Sequence, residues 1–214
     1  MTSTAPAALK DQNRRHLWFI IAANVIIFYA VTQSNFIAVA NLKGLLTAAV
    51  NLLPVSLALI VTTVVNGLLS ANMKARLVFM RWKHALPGHR AFSKFAVSDP
   101  RIDVNRIKKA LGNKMPADPE AENKAWYRIF KEVENVPEIL HVHREFLFMR
   151  DYTGFAALFF IGLGTTAVIF VHSWKISLTY CLALFLQFFI VRHAAATYGN
   201  RFVCTVLAVK SAKR

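Results

Sequence analysis

The chain has 214 residues, 56% of them hydrophobic and 17 of them phenylalanine, with a formal net charge of +15. Apolar content on this scale excludes a disordered polyelectrolyte and an ordinary small soluble domain, because lipid must cover what so short a chain cannot bury. The two cysteines, Cys181 and Cys204, exclude a disulfide framework and lack the spacing of a zinc or thiol motif.

A polar start carrying Lys10, Arg14 and Arg15 leads into an apolar run at 17–32. No small-residue cleavage site closes that run, so it reads as a retained anchor rather than a removed signal. A second run, 45–70, contains Pro54, which predicts a bend because proline removes a helix donor. The third and fourth runs occupy 154–171 and 176–191. With their flanks all four approach the ~20 helical residues that cross a bilayer core. No strand-type alternation occurs, so the expected fold class is all-α, four transmembrane helices with a small helical cap between spans two and three. The expected divisions are 1–72 for the tail and spans one and two, 73–150 for the basic helical region, and 151–214 for spans three and four with a basic tail.

Orientation follows from the cations, since Lys and Arg near membrane helices are kept in the cytoplasm. Of the 26 Lys and Arg, all but Lys43 and Lys175 lie in the N-terminal tail, the central region or the C-terminal end. Both termini and the central region are therefore expected to be cytoplasmic, in a multi-pass protein of the bacterial inner membrane, and the positive charge serves topology and anionic lipid contact.

In the central region, Met73 to Lys83 reads as a helical continuation of span two, broken at Leu86-Pro87-Gly88. Asp103 is expected to cap a short helix that Gly112 ends. Asp118, with Pro119 at the first helical position, opens a helix in which Trp126, Ile129, Phe130 and Val133 form an apolar face. Pro137 opens a further helix that runs into span three.

Residues 81–94 hold Arg81, Lys83, His84, His89, Arg90 and Lys94 without an acid. Guanidinium forks and an ammonium around a Pro-Gly turn suit an anionic ligand, a nucleotide or nucleic acid among them. The candidate anion-binding residues are Arg81, His89, Arg90, Lys94 and Arg101. His143, Arg150 and Asp151 form a second candidate cluster. His141 and His143 point about 200° apart on a helix and cannot share one ion, so no metal site is expected. No cofactor is expected, and no catalytic residue is assigned, because no GxSxG, HExxH or Walker pattern occurs. Within the spans, Asn24, Asn51, Asn66 and Gln187 are polar but uncharged, which suits packing between helices or the wall of a pore assembled from several copies. Charged residues are absent from the span centres, which argues against an ion-coupled carrier.

Three stretches, "RW...LPG.RAFS" at 81–93, "DPRID" at 99–103 and "HREFLFMRDYTG" at 143–154, resemble small multi-span bacterial inner-membrane proteins. Some proteins of that build are membrane effectors in anti-phage defence. The resemblance covers the central half of the chain and carries over no catalytic residue. The expected function is a non-enzymatic, oligomeric membrane effector or sensor that alters permeability when its cap meets an anionic ligand or a partner. One alternative is a membrane-surface enzyme acting on a lipid or nucleotide through His89, Arg90, His143 and Asp151. The other is a scaffold that docks a soluble protein on Trp126 and Phe130.

Overall fold

The 19 residues of Arg14–Thr32 contain neither glycine nor proline and fold as one helix, α1. The structure is a computed structural model describing residues 13–32, 61 and 63–212, and among these every regular element is a helix. Residues 63–68 are helical, and after a break at Leu69 and Ser70 the chain forms α2, Ala71–Phe79. A tight 3₁₀ turn, Pro87–Arg90, and a π turn, Ala91–Phe95, precede the helical turn Ala96–Ser98. Helices α3 (Val104–Ala110), α4 (Pro119–Val133) and α5 (Pro137–Leu158) follow. A π turn at Phe159–Leu163 joins α5 to α6, Gly164–Phe170. The chain closes on α7, Trp174–Ala212, whose 39 residues extend about 58 Å.

The chain divides into two compact units, Met1–Ser70 with Asp151–Val191 and Ala71–Arg150 with Arg192–Arg214. In the first, Ile21 and Phe28 of α1 pack with Phe155, Phe159 and Leu163 and with Tyr180 and Leu184 of α7. Its outer surface is apolar as well, with Phe19, Ile26, Ile161, Ile169, Leu182 and Ile190 exposed. A helix that is hydrophobic all round belongs in a bilayer. Three helical stretches, Arg15–Thr32, Pro137–Phe170 and Trp174–Ala212, are long and apolar enough to cross a membrane. The other expected span, 45–70, falls largely outside the described residues, as do Pro54 and Asn51.

The second unit is built on α4, whose expected apolar face is its core: Trp126, Ile129, Phe130 and Val133 are buried with Phe92, Phe95, Ile107, Ile139 and Phe146. The rings of Trp126 and Phe130 stack at 5.7 Å, and both meet Phe202 of α7 edge-on at 5.3–5.4 Å. Both expected caps form. Asp103 Oδ1 accepts the Asn105 and Arg106 amides at 3.0 and 3.1 Å, and Asp118 Oδ1 accepts the Ala121 amide at 2.9 Å. The expected helix from Met73 to Lys83 is shorter, because Met80 takes φ +49° and ends it after Phe79. Residues 192–212 are not a solvated tail. They continue α7, with Phe202, Val203, Val206 and Leu207 buried against α4 and its neighbours.

Candidate functional site

Pro87 restricts Leu86 to an extended backbone (φ −62°, ψ 142°) and then starts the 3₁₀ turn that contains His89 and Arg90. The turn lies hard against α4. A Cβ on Gly88 would overlap Asn123 Oδ1 and meet the Trp126 ring at 3.0 Å, so any larger residue there must displace the Asn123 side chain. Glu122, 5% exposed on α4, fixes the next turn by accepting the Phe92 and Ser93 amides at 2.8 and 3.0 Å. A buried carboxylate paired with two amides and close to the Arg90 cation is a satisfied charge that holds this loop in one geometry.

The five expected anion-binding residues stand in different surroundings. Arg101 is occupied, its Nε and Nη2 donating to the Asp99 carboxylate at 3.0 and 2.7 Å. This fork holds Asp99 down to about 2, well below the usual carboxylate range, and raises Arg101. Arg90 projects only partly into solvent. It is half-buried, with its guanidinium carbon 6.0 Å from the Phe79 ring and 5.9 Å from the Phe95 ring. Burial lowers its pKa, the Arg81 charge lowers it further, and Glu122 opposes both. Arg81 and Lys94 are exposed, and the charge of Arg81 is felt at Arg90.

His143 is half-buried against the aromatic core of the second unit. Its ring stacks on Phe202 at 4.7 Å with the planes 4° apart, and Phe130 meets it edge-on at 5.3 Å. Burial, assisted by the Arg150 charge, pushes its pKa down to about 4, leaving a neutral imidazole at pH 7. Asp151 is buried and belongs to the first unit, whereas His143 and Arg150 belong to the second. Among the span residues, Asn24 Nδ2 donates to the Ile20 carbonyl of its own helix at 2.9 Å. Gln187 Nε2 donates to Tyr152 Oη at 3.0 Å, and Asn66, 5% exposed, lies against Gly154.

The structure also assembles a group absent from the sequence-based expectations. His84, at φ +49°, presents Nδ1 to Glu120 Oε1 at 3.1 Å, and its ring lies 5.3 Å from that of His89. One donor atom from each of His84, His89 and Glu120 lies within 4.8 Å of the others. The signal available in the sequence is the pair of histidines astride Pro87-Gly88. Its third member lies on another element, at the start of α4.

No family model, curated protein or solved structure matches this chain.

Proposed function

We propose that this is an inner-membrane sensor-effector whose second unit and both termini face the cytoplasm. The observation that carries the reading is the sharing of helices. α5 and α7 each contribute residues to both units without an intervening loop, so a change in the packing of the second unit has a direct path into the apolar one.

The input in this reading is an anionic group, from a headgroup or a bound partner, at the exposed cations of residues 76–94. Trp82 is 83% exposed, with the Arg76 guanidinium 5.9 Å from its ring and Arg81 and Lys83 beside it. Tryptophan among lysines and arginines next to a span suits the headgroup layer, where each cation contributes about 1 kcal/mol on an anionic surface. The output in this reading is a permeability change in an assembly of copies, and its phage-defence setting rests on analogy with multi-span bacterial membrane effectors of this general build. Against the enzymatic alternative weighs the aromatic packing of His143, whose half-buried ring stacks on Phe202 and meets Phe130 edge-on. Trp126 and Phe130 are core residues and offer a soluble partner no docking surface.

The test is reconstitution of the full chain into vesicles with and without anionic lipid, with dye retention and membrane potential recorded. Leakage that depends on anionic lipid and weakens in an Arg81→Ala, Trp82→Ala, Lys83→Ala variant is the expected result. Vesicles equally tight in every composition would remove the effector half of the reading.

A further inference from the structure

We propose that His84, His89 and Glu120 form a binding site for a divalent metal ion of the zinc class. The site stands apart from the membrane reading and does not depend on it.

The donor set is two imidazoles and one carboxylate. Zinc takes such ligands at about 2.0–2.2 Å, and three of them leave a fourth position open. Two ligands of a tetrahedral ion at that distance are about 3.3 Å apart. His84 Nδ1 and Glu120 Oε1 are already 3.1 Å apart, so an ion can enter between them with little rearrangement. The third donor comes from His89, within 4.8 Å of both. Its Nδ1 lies 3.1 Å from the Leu86 carbonyl oxygen, the acceptor that fixes a metal-ligating histidine from behind. A ring donating Nδ1–H to a carbonyl carries its lone pair on Nε2, and such supporting contacts typically contribute 10- to 100-fold in metal affinity.

The scaffold is rigid where the ligands need it. Pro87 and the packing of Gly88 on α4 set the separation of the two histidines. Asp118 and Pro119 fix the first turn of the helix that carries Glu120. His84 holds a left-handed backbone that a non-glycine residue rarely adopts, which orients its ring toward Glu120. Charge weighs the other way, since Arg81 and Lys83 repel a dication. Both are exposed, so water and salt screen them, whereas direct coordination is not screened. Two neutral nitrogens and one carboxylate suit zinc, cobalt or nickel better than calcium or magnesium, which prefer oxygen shells.

The experiment uses the full chain in detergent, purified through a tag that contains no histidine and titrated with Co²⁺ as the spectroscopic probe. One equivalent should bind with the visible absorption of a four- or five-coordinate nitrogen–oxygen site, and Zn²⁺ should displace it. His84→Ala, His89→Ala and Glu120→Gln should each weaken binding at least tenfold, and the double histidine variant should abolish it. Thermal unfolding without metal checks that the variants fold. X-ray absorption of the zinc-loaded wild type supplies a readout that needs no variant, with two imidazoles in the shell expected. Saturable binding absent from the wild type would overturn the proposal and leave His84 and Glu120 as an ordinary surface contact. Equal binding by the double histidine variant, or a shell without imidazole, would overturn it by placing the metal elsewhere.

Discussion

Replacing Glu122 with alanine should release the turn that carries His89 and Arg90. The side chain is buried and accepts two amides, those of Phe92 and Ser93, so its removal strands two donors beneath the loop and leaves Arg90 beside Arg81 without a nearby anion. Hydrogen bonds to a charged group contribute about 1.5–3 kcal/mol each, so losing both should cost the loop about 3–5 kcal/mol. At 1.4 kcal/mol per decade, the opening equilibrium of this segment should rise by roughly 10²- to 4 × 10³-fold. Amide hydrogen exchange of the full chain in detergent reads this directly, because the Phe92 and Ser93 amides report the local opening. Glu122→Gln keeps an acceptor without the charge and should lose about 1–2 kcal/mol, a step of roughly tenfold. If both amides keep wild-type protection in Glu122→Ala, the carboxylate does not hold the turn and the derivation fails.

The folded-state pKa of His143, about 4, lies below its unfolded value of 6.5, so the unfolded chain binds the extra proton between those values. Stability should therefore be flat above pH 6.5 and fall as the pH drops from 6.5 toward 4, by on the order of 2 kcal/mol after allowance for partial exposure. His143→Phe, which keeps the stack on Phe202, should flatten that limb of the pH profile, and an unchanged slope would assign it to other groups. Burial pushes the Cys204 thiol up to about 11, with Asp99 adding to the shift, so alkylation at pH 8 should be at least about 10²-fold slower than for a free thiol until the protein unfolds. Mass-spectrometric labelling at both cysteines checks this, and rapid native modification of Cys204 would contradict it. In the apolar unit, Gly154→Ala would drive a methyl into Asn66 Oδ1 and should destabilise by about 1–3 kcal/mol, measured by steric-trap unfolding in bicelles. Wild-type stability would mean that Asn66 has room to move.

The sequence and the structure agree where the determinants are local. Asp103, Asp118 and Pro119 sit within three residues of the amides or helix turns they organise, so their caps could be read directly. The apolar face of α4 is also legible, because Trp126, Ile129, Phe130 and Val133 repeat at the period of the helix that buries them. Arg90 was misleading for the opposite reason. Its surroundings come from Phe79, Phe95 and Glu122, which lie on three different elements, and nothing near it in the chain indicates a half-buried cation. The histidine–glutamate cluster was hidden in the same way, since Glu120 meets His84 only when the Pro-Gly turn docks on α4. For residues 192–212 a usable signal was present. Phe202, Val203, Val206 and Leu207 recur at helical spacing among the cations Arg192, Arg201 and Lys210.

The discontinuous make-up of the second unit bears on how the chain is synthesised. Ala71–Arg150 leaves the ribosome with Trp126, Ile129, Phe130 and Val133 already made, but Phe202, Val203, Val206 and Leu207, which cover them, come only after two apolar runs have been translated. At 5–20 residues per second that interval of about sixty residues lasts roughly 3–12 s. During it the nascent segment lacks the residues that cover its apolar face, and uncovered apolar surface of that kind is what chaperones and proteases act on. A chain arrested before Arg192 never gains that cover. Translation of the C-terminal half of α7 thus supplies the missing side of a core begun more than fifty residues earlier.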